Sequence, residues 1–190
     1  MLKNERKILN KKAAAVDMRG YILAVVLAAA IAAILFKVIF NLGIVNGSSM
    51  SPTLNDGDVL LLDRLLYEPE YNDIVVFKNE ERGTLVKRII GMPGDTIEVK
   101  NSVVYRNGEP LEEDYIAQGY FGCGDMSGPV TVEERHVFVL GDNRPDSYDS
   151  RFGGVGQIPE DSIIGGVIFR LSLPAFSQLR QILPVRMGLG

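Results

Sequence analysis

The feature that most limits how this chain can fold is an apolar run near its start. Tyr21 to Phe36 carries no charge, and Val38-Ile39-Phe40 continue the run past Lys37. About twenty helical residues span the ~30 Å of a bilayer core, so residues 20–41 are expected to form one membrane-spanning helix. Lys37 lies near the far end, where its stem can stay among apolar groups while the ammonium reaches the interface. Residues 1–19 hold six basic and two acidic residues, a net +4. Positive charge ahead of a span favours the cytoplasmic side, so residues 42–190 are expected outside. A cleaved secretory signal and a buried core helix fit the same composition. The run is long for the apolar part of a signal, which favours an uncleaved anchor.

Beyond the run the charge reverses. From Val38 onward 13 basic residues face 22 acidic ones, a net −9. Phosphate contacts need basic patches, so nucleic acid is not an expected partner. Cys123 is the single cysteine and His136 the single histidine. An intrachain disulfide is therefore impossible, and no Cys/His cluster with metal-ligand spacing exists. Neither metal nor cofactor is expected.

After residue 42 the pattern is that of short strands broken by turns. Strands are expected at Val59–Leu62, Ile74–Phe77, Thr84–Ile90, Thr96–Val99, Ser102–Arg106, Val137–Leu140 and Ile163–Leu171. Asn107-Gly108 is a strong hairpin signal, and Gly165-Gly166 marks a bulge in the last strand. Residues 112–130 are polar and glycine-rich, with no apolar period, and read as a loop excursion. Strands this short and closely spaced predict a mainly β domain, an antiparallel sheet or barrel following the helix. The tail from Pro174 to Gly190 reads as a short terminal helix.

Asn46-Gly47-Ser48-Ser49-Met50-Ser51-Pro52-Thr53-Leu54 stands directly after the apolar run. Glycine and proline set such a turn, and it can hold a hydroxyl in a defined direction. A plain linker has the same composition. A serine needs a base to become a nucleophile. His136 sits among Glu133, Glu134 and Arg135, as a surface histidine would. The other solution is a lysine kept neutral by burial, against its ordinary pKa of about 10.4. Lys78 and Lys100 lie at strand ends beside polar turns, and Lys37 belongs to the apolar run. Lys87 lies within Leu85-Val86-Lys87-Arg88-Ile89-Ile90, and alternation sets it on one face with Leu85 and Ile89. Arg88, on the other face, cannot deprotonate. A solvated surface lysine remains the competing reading. Gly141 to Arg151 carries Asp142, Arg144, Asp146, Ser147, Asp149 and Arg151. It reads either as a salt-bridged loop or as a support in which Ser147 orients the lysine amine and an Asp149–Arg151 pair stiffens the wall. Because a carboxylate beside the lysine would raise its pKa, Asp149 should be neutralised by its arginine.

The set resembles bacterial type I signal peptidases. The resemblance runs from the apolar segment through Gly47 to Leu54, Gly57-Asp58-Val59, Lys87 to Asp95, and Gly141-Asp142-Asn143-Arg144 to Arg151, covering nearly all of residues 20–172. It implies a membrane-anchored serine endopeptidase that removes signal peptides from exported preproteins. Ser49, which spacing alone does not separate from Ser48 or Ser51, corresponds to the family's nucleophile. Lys87 corresponds to its general base, Ser147 to the serine that orients the lysine, and Asp149 with Arg151 to the structural pair. The oxyanion hole would use the Ser49 N–H. A serine that assists in some members corresponds to Gly47 here, which resembles the Gram-positive type. Val45, Leu54, Leu85 and Val86 correspond to walls of shallow pockets for small residues, as in an Ala-X-Ala cleavage site, and Gly47, Ser48 and Met50 lie beside the substrate. The expected partners are signal peptides and the lipid bilayer.

Three rival readings remain at this level. A self-cleaving repressor-type Ser–Lys protease would be soluble, which the apolar run opposes. A Ser–His–Asp hydrolase would need His136. A dedicated enzyme for few substrates, or a non-catalytic assembly factor, would retain the same fold.

Overall fold

The computed structural model describes residues 2–172, with side chains of Glu5 and of residues 18–172. The expected helix in the tail lies outside the described residues. Two compact units divide the chain, residues 1–39 and 40–190.

The first unit is one helix, α1, Leu2–Ile39. It begins well before the expected start at residue 20. The reason is compositional: no glycine or proline precedes Gly20, and Lys, Glu, Arg, Leu and Ala are good helix formers. Within α1, the 22 residues Met18–Ile39 are long and apolar enough to cross a membrane. The helix stops short of its expected end at residue 41, because Phe40 and Asn41 pair with a strand instead.

The described residues of the second unit are mainly β, with short 3-10 turns at Arg144–Asp146 and Glu160–Ser162. Strands β1 (Phe40–Ile44), β2 (Val59–Asp63), β3 (Ile74–Asn79), β4 (Gly83–Gly91), β5 (Thr96–Lys100), β6 (Val103–Arg106), β7 (Glu109–Pro110), β8 (Val130–Thr131), β9 (His136–Leu140), β10 (Ile158–Pro159) and β11 (Ile163–Leu171) follow in order. They form a seven-stranded sheet, β1-β2-β11-β3-β4-β9-β10, and a four-stranded sheet, β7-β6-β5-β8. All pairings are antiparallel. The seven expected strands are present. β1, β7, β8 and β10 had no signal of their own, and three of them are only two residues long.

Local chemistry explains the joints. Asn107 and Gly108 both have positive φ, +57° and +85°, the hairpin geometry that joins β6 to β7. β11 changes register on β3 between Ile163 and Gly165 and stays paired with it through Gly166. A Cβ on Gly165 would collide with the Asp63 carbonyl, and one on Gly166 with the Tyr67 ring.

The central strands β3 and β4 are buried on both faces, and their side chains alternate between two cores. Val76 and Val86 pack with Val45, Met50, Leu54, Leu60 and Leu62. Val75, Phe77, Leu85 and Ile89 pack on the other face with Val137 and Val139. A third core, with Ile90, Ile97, Phe121, Phe138 and Leu140, joins the two sheets. Each such side chain contributes about 1.5–3 kcal/mol of burial. β4 is therefore an apolar wall, and a charge within it is costly.

Candidate active site

Lys87 lies in the middle of that wall. It is fully buried, and its Nζ donates a hydrogen bond to Ser49 Oγ at 2.6 Å. Ser49 is delivered by the turn after β1. Ser51 N–H donates to the Ser48 carbonyl and Leu54 N–H to the Met50 carbonyl, both at 2.9 Å. Met50 and Leu54 sit in the first core, so two apolar anchors fix the turn around the serine. Gly47, at φ +111°, takes a conformation that favours glycine, and its N–H donates to Asp56 Oδ1 at 2.9 Å. The Ser49 N–H makes no hydrogen bond among the described residues.

The loop after β9 closes over this turn. Asn143 N–H donates to the Ser49 carbonyl at 3.0 Å, and Asn143 Nδ2 to the Ser48 carbonyl at 3.1 Å. Ser48 is exposed and its hydroxyl donates to Asp146 Oδ2 at 2.6 Å. A side chain at Gly141 would collide with Ser147 Oγ and the Ser49 carbonyl, so glycine is what lets the loop approach.

Asp149 is fully enclosed by donors. Arg151 Nε reaches Oδ1 at 2.8 Å and Arg151 Nη2 reaches Oδ2 at 2.9 Å, while Gly141 N–H donates to Oδ2 at 3.0 Å. Ser147 Oγ also donates to Asp149 Oδ2, at 2.7 Å. The Ser147 proton thus goes to the carboxylate rather than to the lysine, whose Nζ bonds Ser49 Oγ, and the Ser147 oxygen keeps its lone pairs for accepting from the amine. An ionised carboxylate is a stronger acceptor than a neutral amine, which accounts for the choice.

These contacts set the charge state of Lys87. Burial is the largest influence and lowers its pKa from 10.5 to about 8. Asp149 and Asp142 push it back up, and Arg151 pulls it down. Both acids are paired with arginines, so neither forms an ion pair with the lysine. An amine with a pKa near 8 is partly neutral at physiological pH and can take a proton from the hydroxyl beside it.

The other expected site residues separate into groups. Ser147, Asp149 and Arg151 converge beside Ser49. Val45, Met50, Leu54 and Val86 form one buried cluster, but Leu85 packs in the opposite core. Adjacent strand residues face opposite ways, so Leu85 and Val86 do not share a wall. His136 begins β9, and its Nδ1 lies 3.0 Å from the Glu134 carbonyl. Gly141, against which the serine turn packs, lies five residues further along the chain, about 16 Å in an extended strand.

Three contributors escaped the sequence reading: Glu113, Tyr115 and the pairing of Arg88 with an acid. Arg88 Nε and Nη2 hold Asp142 in a bidentate pair at 2.9 and 2.6 Å. Arg144, also buried, is held by Glu113 at 2.7 and 2.6 Å, and its Nε donates to the Gly141 carbonyl at 2.9 Å. Tyr115 packs its ring 4.0 Å from the Arg88 guanidinium. Asp142 and Arg144 stood within a recognisable motif, but their partners are distant in sequence and carried no signal.

A family model described as signal peptidase, peptidase S26, matches residues 18–172. A signal peptidase I of Bacillus amyloliquefaciens is 40% identical over 154 residues, 75% of this chain and 79% of that protein. One of Bacillus licheniformis is 39% identical over 174 residues, 85% of this chain and 90% of its own. A solved signal peptidase I from Enterococcus faecalis V583 is 34% identical, with a TM-score of 0.45 over 53% of this chain and 97% of that one. With the family model covering most of its length, this chain belongs to the signal peptidases of peptidase family S26.

Proposed function

We propose that this protein is a membrane-anchored serine endopeptidase that removes signal peptides from exported preproteins, with Ser49 as nucleophile and Lys87 as general base. The single observation that carries the mechanism is the 2.6 Å contact between Ser49 Oγ and a lysine buried in apolar strand β4. Neutral Lys87 accepts the Ser49 proton as Oγ adds to the carbonyl carbon of the scissile bond. The Ser49 N–H, unpaired among the described residues, stabilises the oxyanion. Lys87 returns the proton to the departing amine, leaving an acyl group on Ser49. Lys87 then takes a proton from water as its oxygen adds to the acyl carbon. That proton goes back to Ser49 Oγ as the signal peptide's new carboxyl end leaves.

Ser147, Asp149 and Arg151 support the base by keeping the nearest carboxylate paired. Val45, Met50, Leu54 and Val86 back the substrate pockets from one core, with Gly47 and Ser48 at the rim, and Leu85, on the Lys87 face of β4, lines them beside the base. The apolar part of α1 anchors the protein in the bilayer, with the N-terminus in the cytoplasm and residues 42–190 outside. The net +4 before the helix supports that orientation, and protease added to intact cells should digest the β unit while sparing an N-terminal tag.

The test is cleavage of a preprotein with an Ala-X-Ala site, in detergent, by wild type, Ser49→Ala, Lys87→Ala and His136→Ala. The first two variants should be inactive and the third near wild type. An inactive His136→Ala with an active Lys87→Ala would refute the Ser–Lys mechanism. If wild type cuts no such preprotein, a dedicated-substrate or non-catalytic assembly role becomes the reading.

A further inference from the structure

The irregular stretch 112–130 has no place in the mechanism above, yet it is tied to the site at four points. Glu113 holds Arg144 through two bonds, Ala117 N–H donates to the Asp142 carbonyl at 2.9 Å, Arg151 Nη1 donates to the Gly122 carbonyl at 3.2 Å, and Asp125 N–H donates to the Arg151 carbonyl at 2.9 Å. At its centre Tyr115 donates its hydroxyl to Glu113 Oε1 at 2.7 Å, and its ring covers the Arg88 guanidinium. The contacts close a ring: Asp142 to Arg88, Arg88 to Tyr115, Tyr115 to Glu113, Glu113 to Arg144, and Arg144 back to Gly141 beside Asp142.

We propose that Tyr115 is a positioning residue: its ring keeps the Arg88 guanidinium on Asp142 and so keeps the Asp142 charge away from Lys87. This rests on the Ser–Lys reading. The charged groups acting on Lys87 are Asp149, Asp142 and Arg151. Asp149 is neutralised by Arg151 from within its own loop, whereas Asp142 depends on Arg88 of β4, whose Nη1 donates to the Asn72 carbonyl at 3.0 Å and whose guanidinium is covered by the Tyr115 ring at 4.0 Å. Cation–π cover and exclusion of water both strengthen the Arg88–Asp142 pair. Without the ring the guanidinium is free to swing off the carboxylate, Asp142 is left uncompensated beside the amine, and Lys87 stays protonated to higher pH.

The experiment is the pH dependence of kcat/KM on the Ala-X-Ala preprotein for the full chain in detergent. The proteins are wild type, Tyr115→Leu, Tyr115→Met, Tyr115→Phe and Lys87→Ala, with melting curves to establish folding. Leucine and methionine keep apolar bulk but remove the aromatic face, and either suffices if the other does not fold. The wild-type activity should rise through about pH 8. In the Leu and Met variants the rise should move up by about one pH unit, a loss of roughly tenfold at pH 7 that recovers in alkali. Tyr115→Phe should restore the wild-type profile. Leu and Met profiles superimposable on wild type, or lowered equally at every pH, overturn the proposal. A fully active Lys87→Ala removes the base itself and overturns the Ser–Lys reading as well.

Discussion

Lys87 and Arg88 are neighbours on β4, and the two sides of the strand treat their cations oppositely. Arg88 is matched: burial opposes its charge, but the hydrogen bonds it donates to Asp142 outweigh that and hold its pKa above the ordinary value. Lys87 is left without a carboxylate. Its nearest acids are already held by Arg151 and Arg88, its side chain ends on a neutral hydroxyl, and burial drives its pKa down to about 8. One side stores a fixed charge, while the other holds an amine close to giving its charge up. The difference teaches that a buried cation becomes a base when its counterions are supplied to its neighbours instead.

Making the two sides alike should have the largest effect. Lys87→Arg places a group that does not deprotonate beside Ser49. Cleavage should fall by on the order of 10⁴-fold, as when a catalytic base is removed, and raising the pH should not restore it. Recovery of activity in alkali would show that the base lies elsewhere. Next comes Arg88→Ala, which leaves Asp142 buried and unpaired. Urea titration should show a loss of about 3–5 kcal/mol, and a loss under 1 kcal/mol would mean that the pair is not truly buried.

Lys87→Met should act in the other direction on stability. Between about pH 8 and 10.5 the unfolded chain holds a proton that the folded one has released, so folding strengthens as pH rises through this window. Below it the whole cost of charging a buried lysine is present, about 3 kcal/mol. The inactive methionine variant should therefore be more stable than wild type at pH 7 by up to that amount, with the gap closing above about pH 10.5. An equal gap at both pH values would break the comparison with Arg88. The smallest effect concerns wild type alone. Its kcat/KM should rise about tenfold per pH unit up to about pH 8 and then level, because only the neutral amine reacts. A flat profile from pH 6 to pH 9 would contradict the assigned base.

The legible parts of the molecule share one property: their signals are local. Ile163–Leu171, the Asn107-Gly108 hairpin and the apolar surroundings of Lys87 could be read because neighbouring residues alone specify period, turn or burial. β1 was hidden within a helical apolar run because its strand identity comes from pairing with β2. Ser147 was expected on the lysine, and only the assembled loop shows that Asp149 takes its proton first. Glu113 and Tyr115 looked like ordinary loop residues, since their partners lie 31 and 27 positions away in Arg144 and Arg88.

The sequence by itself determined that one long apolar segment precedes an acidic, mainly β unit, and that one serine turn and one lysine within an apolar strand are available for chemistry. Periodicity, charge and elimination among few residues reach that far. Only the tertiary structure decided that Ser49 rather than Ser48 or Ser51 meets the lysine, that Leu85 and Val86 serve opposite cores, and which arginine neutralises which acid. Those outcomes depend on distances of a few ångströms between segments far apart in the chain, where ion pairing and burial act strongly.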